Sequence, residues 1–382
     1  MPVKQICKDR NPPESSGFRP DEGLREMKTI IRKMMQPDRK TAEEAARIWR
    51  AGGLVAFPTE TVYGLGGNGL DASASEKIYA AKCRPSDNPL ILHIAERSQL
   101  DGLVRKITPQ AEKLMKTFWP GPLTLIFEKS EQVPLETTGG LQTAAIRMPS
   151  HPVAHYLLQT AGIPIAAPSA NRSGRPSPTT AHHVIEDLDG RIDMIIDGGD
   201  VGIGVESTIV DLTGDIPCLL RPGYITVEDL EAAVGKIDLD PAIYHQVSAN
   251  VHPKAPGMKY RHYAPKADMA IVQGYDEAVV SYINRQIALH PDQKIGVLAT
   301  TENASKYQGG LVLCVGDQRN MAEVAHNLFG ALRRFDDLGV DQIYSESFTT
   351  KGEGLAVMNR LMKAAGHTVI RLEGADNDSH WM

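Results

Sequence analysis

A change of character between residues 241 and 266 divides the chain and limits what either side of it can fold into. Pro241, Pro253, Pro256 and Pro265 punctuate a stretch rich in His, Tyr and Lys. Proline fixes φ and lacks an amide donor, so neither a helix nor a central strand runs through such a segment. It reads as a linker between two units. It is not a featureless spacer: Ala255-Pro256-Gly257-Met258-Lys259-Tyr260-Arg261-His262-Tyr263-Ala264-Pro265 is dense in aromatic, imidazole and cationic groups. The 382 residues leave room for two domains, about 150 residues being an ordinary size.

Upstream of the linker, helix and strand signals mix without strict alternation. Thr41-Ala42-Glu43-Glu44 forms a capping box, Gly52-Gly53 supplies a stop, and a strand follows over 54–57. Thr108-Pro109 starts a helix that ends before Pro120, and Ser150 caps another that stops at Gly162. Strand-like runs recur over 123–127, 163–167, 194–196, 207–210 and 218–220, and Thr226 to Asp229 opens a further helix closed by Gly235. This predicts one α/β domain over 41–240 with a twisted, open, mixed sheet. Downstream, apolar runs over 269–272, 295–299 and 311–315 alternate with amphipathic stretches over 277–288, 321–335 and 354–365. That alternation predicts a smaller parallel-sheet α/β domain over 267–372. Residues 1–40, with Pro12-Pro13, Ser15-Ser16 and one helix over 24–35, read as an N-terminal extension, and 373–382 as a tail. The start has no apolar core of a signal peptide, and its acidic residues argue against a transit peptide.

Composition narrows the function classes. A hydrophobic share of 42% with 23% charged residues fits a globular chain rather than a disordered one. A net charge of −6 argues against a dedicated nucleic-acid coat, while leaving room for a local basic pocket. The four cysteines are far apart and make no CxxC pair. That argues against a disulfide framework or a cysteine zinc site and fits a reducing, cytoplasmic setting. No apolar run is long enough for a membrane span.

Four constellations carry candidate chemistry. Gly64-Leu65-Gly66-Gly67-Asn68-Gly69 matches GxGxxG, but six residues separate it from the strand over 54–57, whereas a dinucleotide loop follows its strand directly. It reads better as a glycine-rich turn where backbone passes close to a ligand or another strand. His151 and His155 stand at i, i+4, as two zinc ligands would, yet a helix-start histidine and a half-buried one explain them more simply, so no protein metal site is expected. Cys83, between Lys82 and Arg84, reads as filler between two functional cations. The fourth constellation is the strongest. Lys82 and Arg84 close a helix over 75–82, and Arg147 ends an apolar strand. Pro168-Ser169-Ala170-Asn171-Arg172-Ser173-Gly174-Arg175-Pro176-Ser177 crowds hydroxyls, an amide and guanidinium groups between a strand and a helix. Ser207 opens a strand and Arg221 ends the next. Cations and hydroxyls at many strand ends imply a preformed anion cavity on one side of the sheet.

Taken in order, Pro58-Thr59-Glu60-Thr61-Val62-Tyr63-Gly64-Leu65-Gly66, Lys82-x-Arg84, Pro168-Ser169-Ala170-Asn171-x-Ser173-Gly174, Ser207-Thr208-Ile209-Val210-Asp211 and Arg221-Pro222-Gly223 closely resemble the YrdC/Sua5 family, the threonylcarbamoyl-AMP synthases. The linker and Gly354-Leu355-Ala356-Val357-Met358-Asn359-Arg360-Leu361 resemble the long Sua5 form, which adds a C-terminal Rossmann-like domain. The resemblance implies that L-threonine, bicarbonate and ATP become L-threonylcarbamoyl-adenylate and pyrophosphate, and that a separate transferase complex passes the group to a tRNA adenosine beside the anticodon. It implies Lys82 and Arg84 on the nucleotide phosphates, with Asn88, Thr143, Ser169, Asn171, Ser177 and Arg221 against the nucleotide. It implies Thr61, His93, Arg147, the backbone at Ala167, and Ser207 around threonine. Mg²⁺ would arrive with ATP, and Tyr260, His262 and Tyr263 would sit on a segment able to fold over the cavity. Cys83 stands where many relatives have glycine. A second reading, a double-stranded RNA or ribosome-binding module using the same cavity, would call for a net basic face and exposed stacking aromatics. Only 5% of residues are aromatic and the chain is acidic, so no stable nucleic-acid binding is expected.

Overall fold

The computed structural model describes residues 28–245, 253–256, 258 and 262–373. In the first domain the strands are β1 (Ile30–Lys33), β2 (Val55–Phe57), β3 (Gly64–Asn68), β4 (Ile91–His93), β5 (Leu123–Glu128), β6 (Thr143–Arg147), β7 (Ile165–Ala166), β8 (Met194–Asp197), β9 (Thr208–Asp211), β10 (Cys218–Arg221) and β11 (Asp238–Leu239). They form one mixed sheet in the order β1-β8-β2-β3-β7-β4-β6-β5-β9-β10-β11. Six helices accompany them among the described residues: α1 (Arg39–Arg50), α2 (Ala72–Lys82), α3 (Pro109–Phe118), α4 (Pro152–Ala161), α5 (Ala181–Leu188) and α6 (Val227–Val234).

The side-chain alternation of the central strands decides where chemistry can sit. On one face Leu92, Ile146, Leu125 and Val210 enter the main apolar core beneath the helices. On the other, His93, Arg147 and Thr124 stand in register, with His93 beside Arg147 across the parallel pair β4–β6 and Thr124 opposite Arg147 across β5–β6. A period of two thus separates a dry face from a polar one within the same strands. Further along the polar face, Ile91, Ile126, Ala145, Ile209 and Leu220 form a small apolar cluster with Ala255 and Met258 of the linker.

The second sheet, β14-β13-β15-β12-β16, is parallel throughout. Its strands are β12 (Asp268–Gln273), β13 (Ile295–Ala299), β14 (Leu311–Cys314), β15 (Gln342–Glu346) and β16 (Val369–Arg371), with α7 (Asp276–Leu289), α8 (Met321–Leu338) and α9 (Gly354–Ala364). A large mixed sheet followed by a smaller all-parallel one is the fold class expected from the sequence. Helices α8 and α9 face the first domain. Arg333 donates to Asp187 at 2.7 Å and to the Pro176 carbonyl at 2.8 Å, and Asn359 donates to the Ile243 carbonyl at 2.8 Å. A Cβ on Gly204, whose φ is +90°, would lie 2.5 Å from the Cα of His326, so only glycine lets that loop meet α8.

Several expectations need correction. Residues 30–33, placed in the extension and inside a helix over 24–35, form β1, an edge strand parallel to β8. The first helix is capped three residues earlier than the Thr41 box implies, by Asp38, whose carboxylate accepts the Thr41 amide at 2.8 Å. His151, not Ser150, caps α4. The glycine-rich 64–68 stretch is a strand rather than a turn. Its glycines serve close packing, since a Cβ on Gly66 would meet Ile165 at 2.7 Å and Phe57 at 2.9 Å.

Cys83 terminates α2 in the left-handed region, with φ +51°. An L side chain there costs roughly 1–2 kcal/mol, part of which a glycine returns to the flexible unfolded chain. Cys83→Gly should therefore raise stability by about 0.5–1 kcal/mol, read as a higher denaturant midpoint at unchanged slope.

Candidate active site

One cavity lies on the polar face of the first sheet, where strand ends, loops and linker meet. Its lining includes Thr61, Lys82, Arg84, His93, Arg147, Ala167, Ser169, Asn171, Ser177, Ser207, Arg221, His262 and Tyr263. Of the residues singled out in the sequence, Asn88 and Thr143 lie outside this lining, and Tyr260 falls outside the described residues. Asn88 is buried; its carbonyl accepts from Arg84 Nε at 3.2 Å and from the Tyr79 hydroxyl at 3.2 Å, while its side-chain amide is buried with no hydrogen-bond partner among the described residues. Thr143 starts β6 on the same face as Arg147 but four residues upstream, about 13 Å along the strand.

Each cation is placed by its own local device. The left-handed Cys83 turns the chain after α2, so Lys82 and Arg84 both reach the cavity. Lys82 is fully buried and its ammonium donates to the carbonyls of Ser169 and Asn171, tying α2 to the 168–177 loop. Burial, then the neighbouring Arg84, pushes the Lys82 pKa well below its ordinary value. Arg84 also donates Nη2 to the Pro89 carbonyl at 3.1 Å. Arg221 reaches the cavity because β10 slips register between Leu219 and Arg221, which sets Arg221 opposite Ile209. Bulges of this kind re-aim side chains beside functional sites. Its guanidinium donates to the Ser207 carbonyl at 3.0 Å and the Ser207 hydroxyl at 3.1 Å, and burial brings its pKa down to about 10. Arg147 donates to the Thr61 hydroxyl at 2.9 Å and pairs with Glu60 at 2.7 Å.

Two acids at this site were not picked out from the sequence as functional. Glu60 backs Arg147. Glu206 lines the cavity, accepts from the Ser177 hydroxyl and pairs with Arg360 of α9 at 3.0 Å. Burial alone would raise the Glu206 pKa, but Arg360, Arg221 and Ser177 together hold it below the ordinary glutamate range. The sequence places Glu206 beside Ser207, but nothing local pairs it with a residue 154 positions away.

His93 is buried, with its Nδ1 3.0 Å from the Ile91 carbonyl and its ring edge-on to Phe57. Burial, then Arg147, pushes its pKa down to about 3. It therefore works as a neutral imidazole. Between the unfolded value of 6.5 and about 3 the unfolded chain binds the proton and the folded one does not, so stability falls as pH falls through that window. His93→Gln should remove up to about 1.4 kcal/mol per pH unit from that slope, measurable by denaturant titration between pH 6.5 and 4.

The family follows from similarity over most of the chain. The family model described as "Telomere recombination" matches residues 47–223, and that described as "Threonylcarbamoyl-AMP synthase, C-terminal domain" matches residues 225–366. A threonylcarbamoyl-AMP synthase of Pyrococcus abyssi is 52% identical over 330 residues, covering 86% of this chain and 95% of that protein. The chain belongs to the YrdC/Sua5 family of threonylcarbamoyl-AMP synthases. The enzyme of that name from Bacillus subtilis is 52% identical over 329 residues, or 86% of this chain and 94% of the relative. A crystal structure of P. abyssi Sua5 complexed with L-threonine matches with a TM-score of 0.85 at 50% identity, covering 90% of this chain and 100% of that one. As in the long form of the family, both domains are present, and among the described residues no helix is long and apolar enough to cross a membrane.

Proposed function

We propose that the chain joins L-threonine, bicarbonate and ATP into L-threonylcarbamoyl-adenylate and releases pyrophosphate. The observation that carries this is the convergence of Lys82, Arg84, Arg147 and Arg221 with the hydroxyls of Thr61, Ser169, Ser177 and Ser207 on one buried cavity. The threonine amine adds to CO₂ derived from bicarbonate, a carbamate oxygen attacks the α-phosphate, and the bond to pyrophosphate breaks. No protein nucleophile is required, so the site contributes positioning and charge stabilisation. Lys82, Arg84 and Arg221 neutralise the phosphates, with Ser169, Asn171 and Ser177 orienting them. Arg147 takes the amino-acid carboxylate with its planar fork, while Thr61, His93, Ser207 and the Ala167 backbone surround the amine and hydroxyl of threonine. A site that hydrogen-bonds the substrate hydroxyl rejects valine, whose methyl would leave those groups unpaired.

Among the described residues no group of three or more His, Cys, Asp and Glu side chains could cage a metal ion. Glu206, the cavity's carboxylate, is taken up by Arg360 and Ser177. In this reading magnesium comes with the nucleotide's own phosphates.

The cavity as it stands has about 60 Å³ of free space, room for a few waters. Pro256, His262 and Tyr263 cover it: Arg221 donates to the Pro256 carbonyl at 3.3 Å, the Ala264 amide donates to Gly174 at 2.8 Å, and Tyr263 stacks on Phe329 at 5.1 Å. The linker therefore lifts to admit a nucleotide and closes to keep water from the labile adenylate. That lability calls for a tRNA threonylcarbamoyl transferase complex as the consumer of the product. The wide spacing of the cysteines supports a cytoplasmic setting. The test is to incubate the protein with ATP, Mg²⁺, threonine and bicarbonate. Pyrophosphate release that needs both threonine and bicarbonate is expected, and release indifferent to either would overturn the reading.

A further inference from the structure

Helix α9 of the second domain sends one guanidinium into the first. Arg360 is fully buried, with Nε donating to the Glu206 carboxylate at 3.0 Å. Its Nη1 donates to the Pro222 carbonyl at 2.6 Å and its Nη2 to the Glu206 carbonyl at 3.3 Å. Those carbonyls flank two cavity residues: Glu206 immediately precedes Ser207, and Pro222 immediately follows Arg221. The Glu206 carboxylate in turn accepts the hydroxyl of Ser177 on the 168–177 loop. One side chain of the second domain thus braces the ends of β9 and β10 and, through Glu206, the phosphate-facing loop.

We propose that Arg360 is a positioning residue of the nucleotide site, so that the second domain completes the active site of the first. The inference rests on the ATP-dependent reading above. Its physical content is charge as well as geometry. A lone carboxylate in a cavity meant for a polyanion repels that anion, and a counter-charge held behind it removes the repulsion. The groups facing Glu206 are Arg360, Arg221, Lys82 and Lys363, together with the phenol of Tyr263. Arg360 alone among the arginines forms an ion pair with it among the described residues. Tyr263 of the linker also lies under Arg360, 5.9 Å from its guanidinium carbon.

The test is equilibrium ATP binding by the full chain, followed from pH 6 to 9, with kcat and KM for ATP from pyrophosphate release. Arg360→Met should weaken ATP binding about ten-fold or more, with a larger loss at high pH, because burial raises the Glu206 pKa once its counter-charge is gone and the carboxyl is then fully ionised only there. Glu206→Gln combined with Arg360→Met should recover most of the affinity and flatten the pH profile, because no charge is left unbalanced. Arg360→Lys should keep KM for ATP close to wild type while lowering kcat, since the charge stays and the three-way brace is lost. Arg360→Met with wild-type affinity at every pH would overturn the inference, as would a double variant that binds no better than the single one. If Arg360→Met does not fold, the double variant decides alone: affinity near wild type supports the inference and its loss overturns it. A wild-type chain that binds no ATP would instead remove the proposed function itself.

Discussion

Arg84→Ala should lower threonine- and bicarbonate-dependent pyrophosphate release by about 10²–10³-fold while the protein stays folded, a loss typical of removing one preorganised charge donor. The expectation comes from how Arg84 is held. It follows the left-handed residue that ends α2, and its fork is pinned to the carbonyls of Asn88 and Pro89, so it reaches the cavity with little freedom left to lose. A donor fixed before the substrate arrives needs no reorganisation as charge builds on the leaving pyrophosphate. The same two bonds set the structural cost, about 1–2 kcal/mol for a half-buried loop, which leaves the core intact. Circular dichroism and a thermal melt check that the fold survives. Arg84→Lys should recover part of the rate only, because an ammonium restores charge without the planar fork. Activity near wild type in Arg84→Ala would remove this residue from the reaction.

What was legible in the sequence had a local cause. The short apolar runs that form β5, β8, β9 and β10 stand out between turn residues and need no knowledge of the partner strands. The capping box at Thr226 and the stop at Gly235 are likewise written within one turn of helix. What was missed depends on distant chain. β1 is an edge strand whose pairing to β8 lies some 160 residues away, and its burial pattern shows one intermediate and three exposed residues, so no periodic apolar signal marks it. β3 is made of glycines that suit a turn until Ile165 and Phe57 are known to press on it. Arg221 reads as the end of a strand, but only the slipped register of β10 aims it at the cavity. The pairing of Glu206 with Arg360 crosses the domain boundary, where no spacing rule applies. Motif order brought most of the lining to attention; Thr143 shares a face with Arg147 and stands outside the lining of the closed cavity.

Arg147 and Glu60 allow stability and substrate binding to be measured apart. Their side chains, 4% and 13% exposed, approach to 2.7 Å, and Arg147 also donates to Thr61 at 2.9 Å. Burial alone would raise the Glu60 pKa, but Arg147 outweighs it and holds the carboxyl below its ordinary range. Arg147→Met therefore leaves a buried carboxylate without its counter-charge, which should cost about 3–5 kcal/mol and lower the melting temperature markedly. It also removes the fork assigned to the threonine carboxylate, so KM for threonine should rise about 10–100-fold, the worth of one charge-assisted contact. Adding Glu60→Gln replaces the broken ion pair with two neutral groups and should return most of the lost stability. It should not return threonine affinity, because the substrate carboxylate still lacks its partner. A melt that recovers while KM stays high is the expected result. If KM recovers together with the melt, Arg147 serves the fold alone, and the threonine carboxylate must bind elsewhere in the cavity.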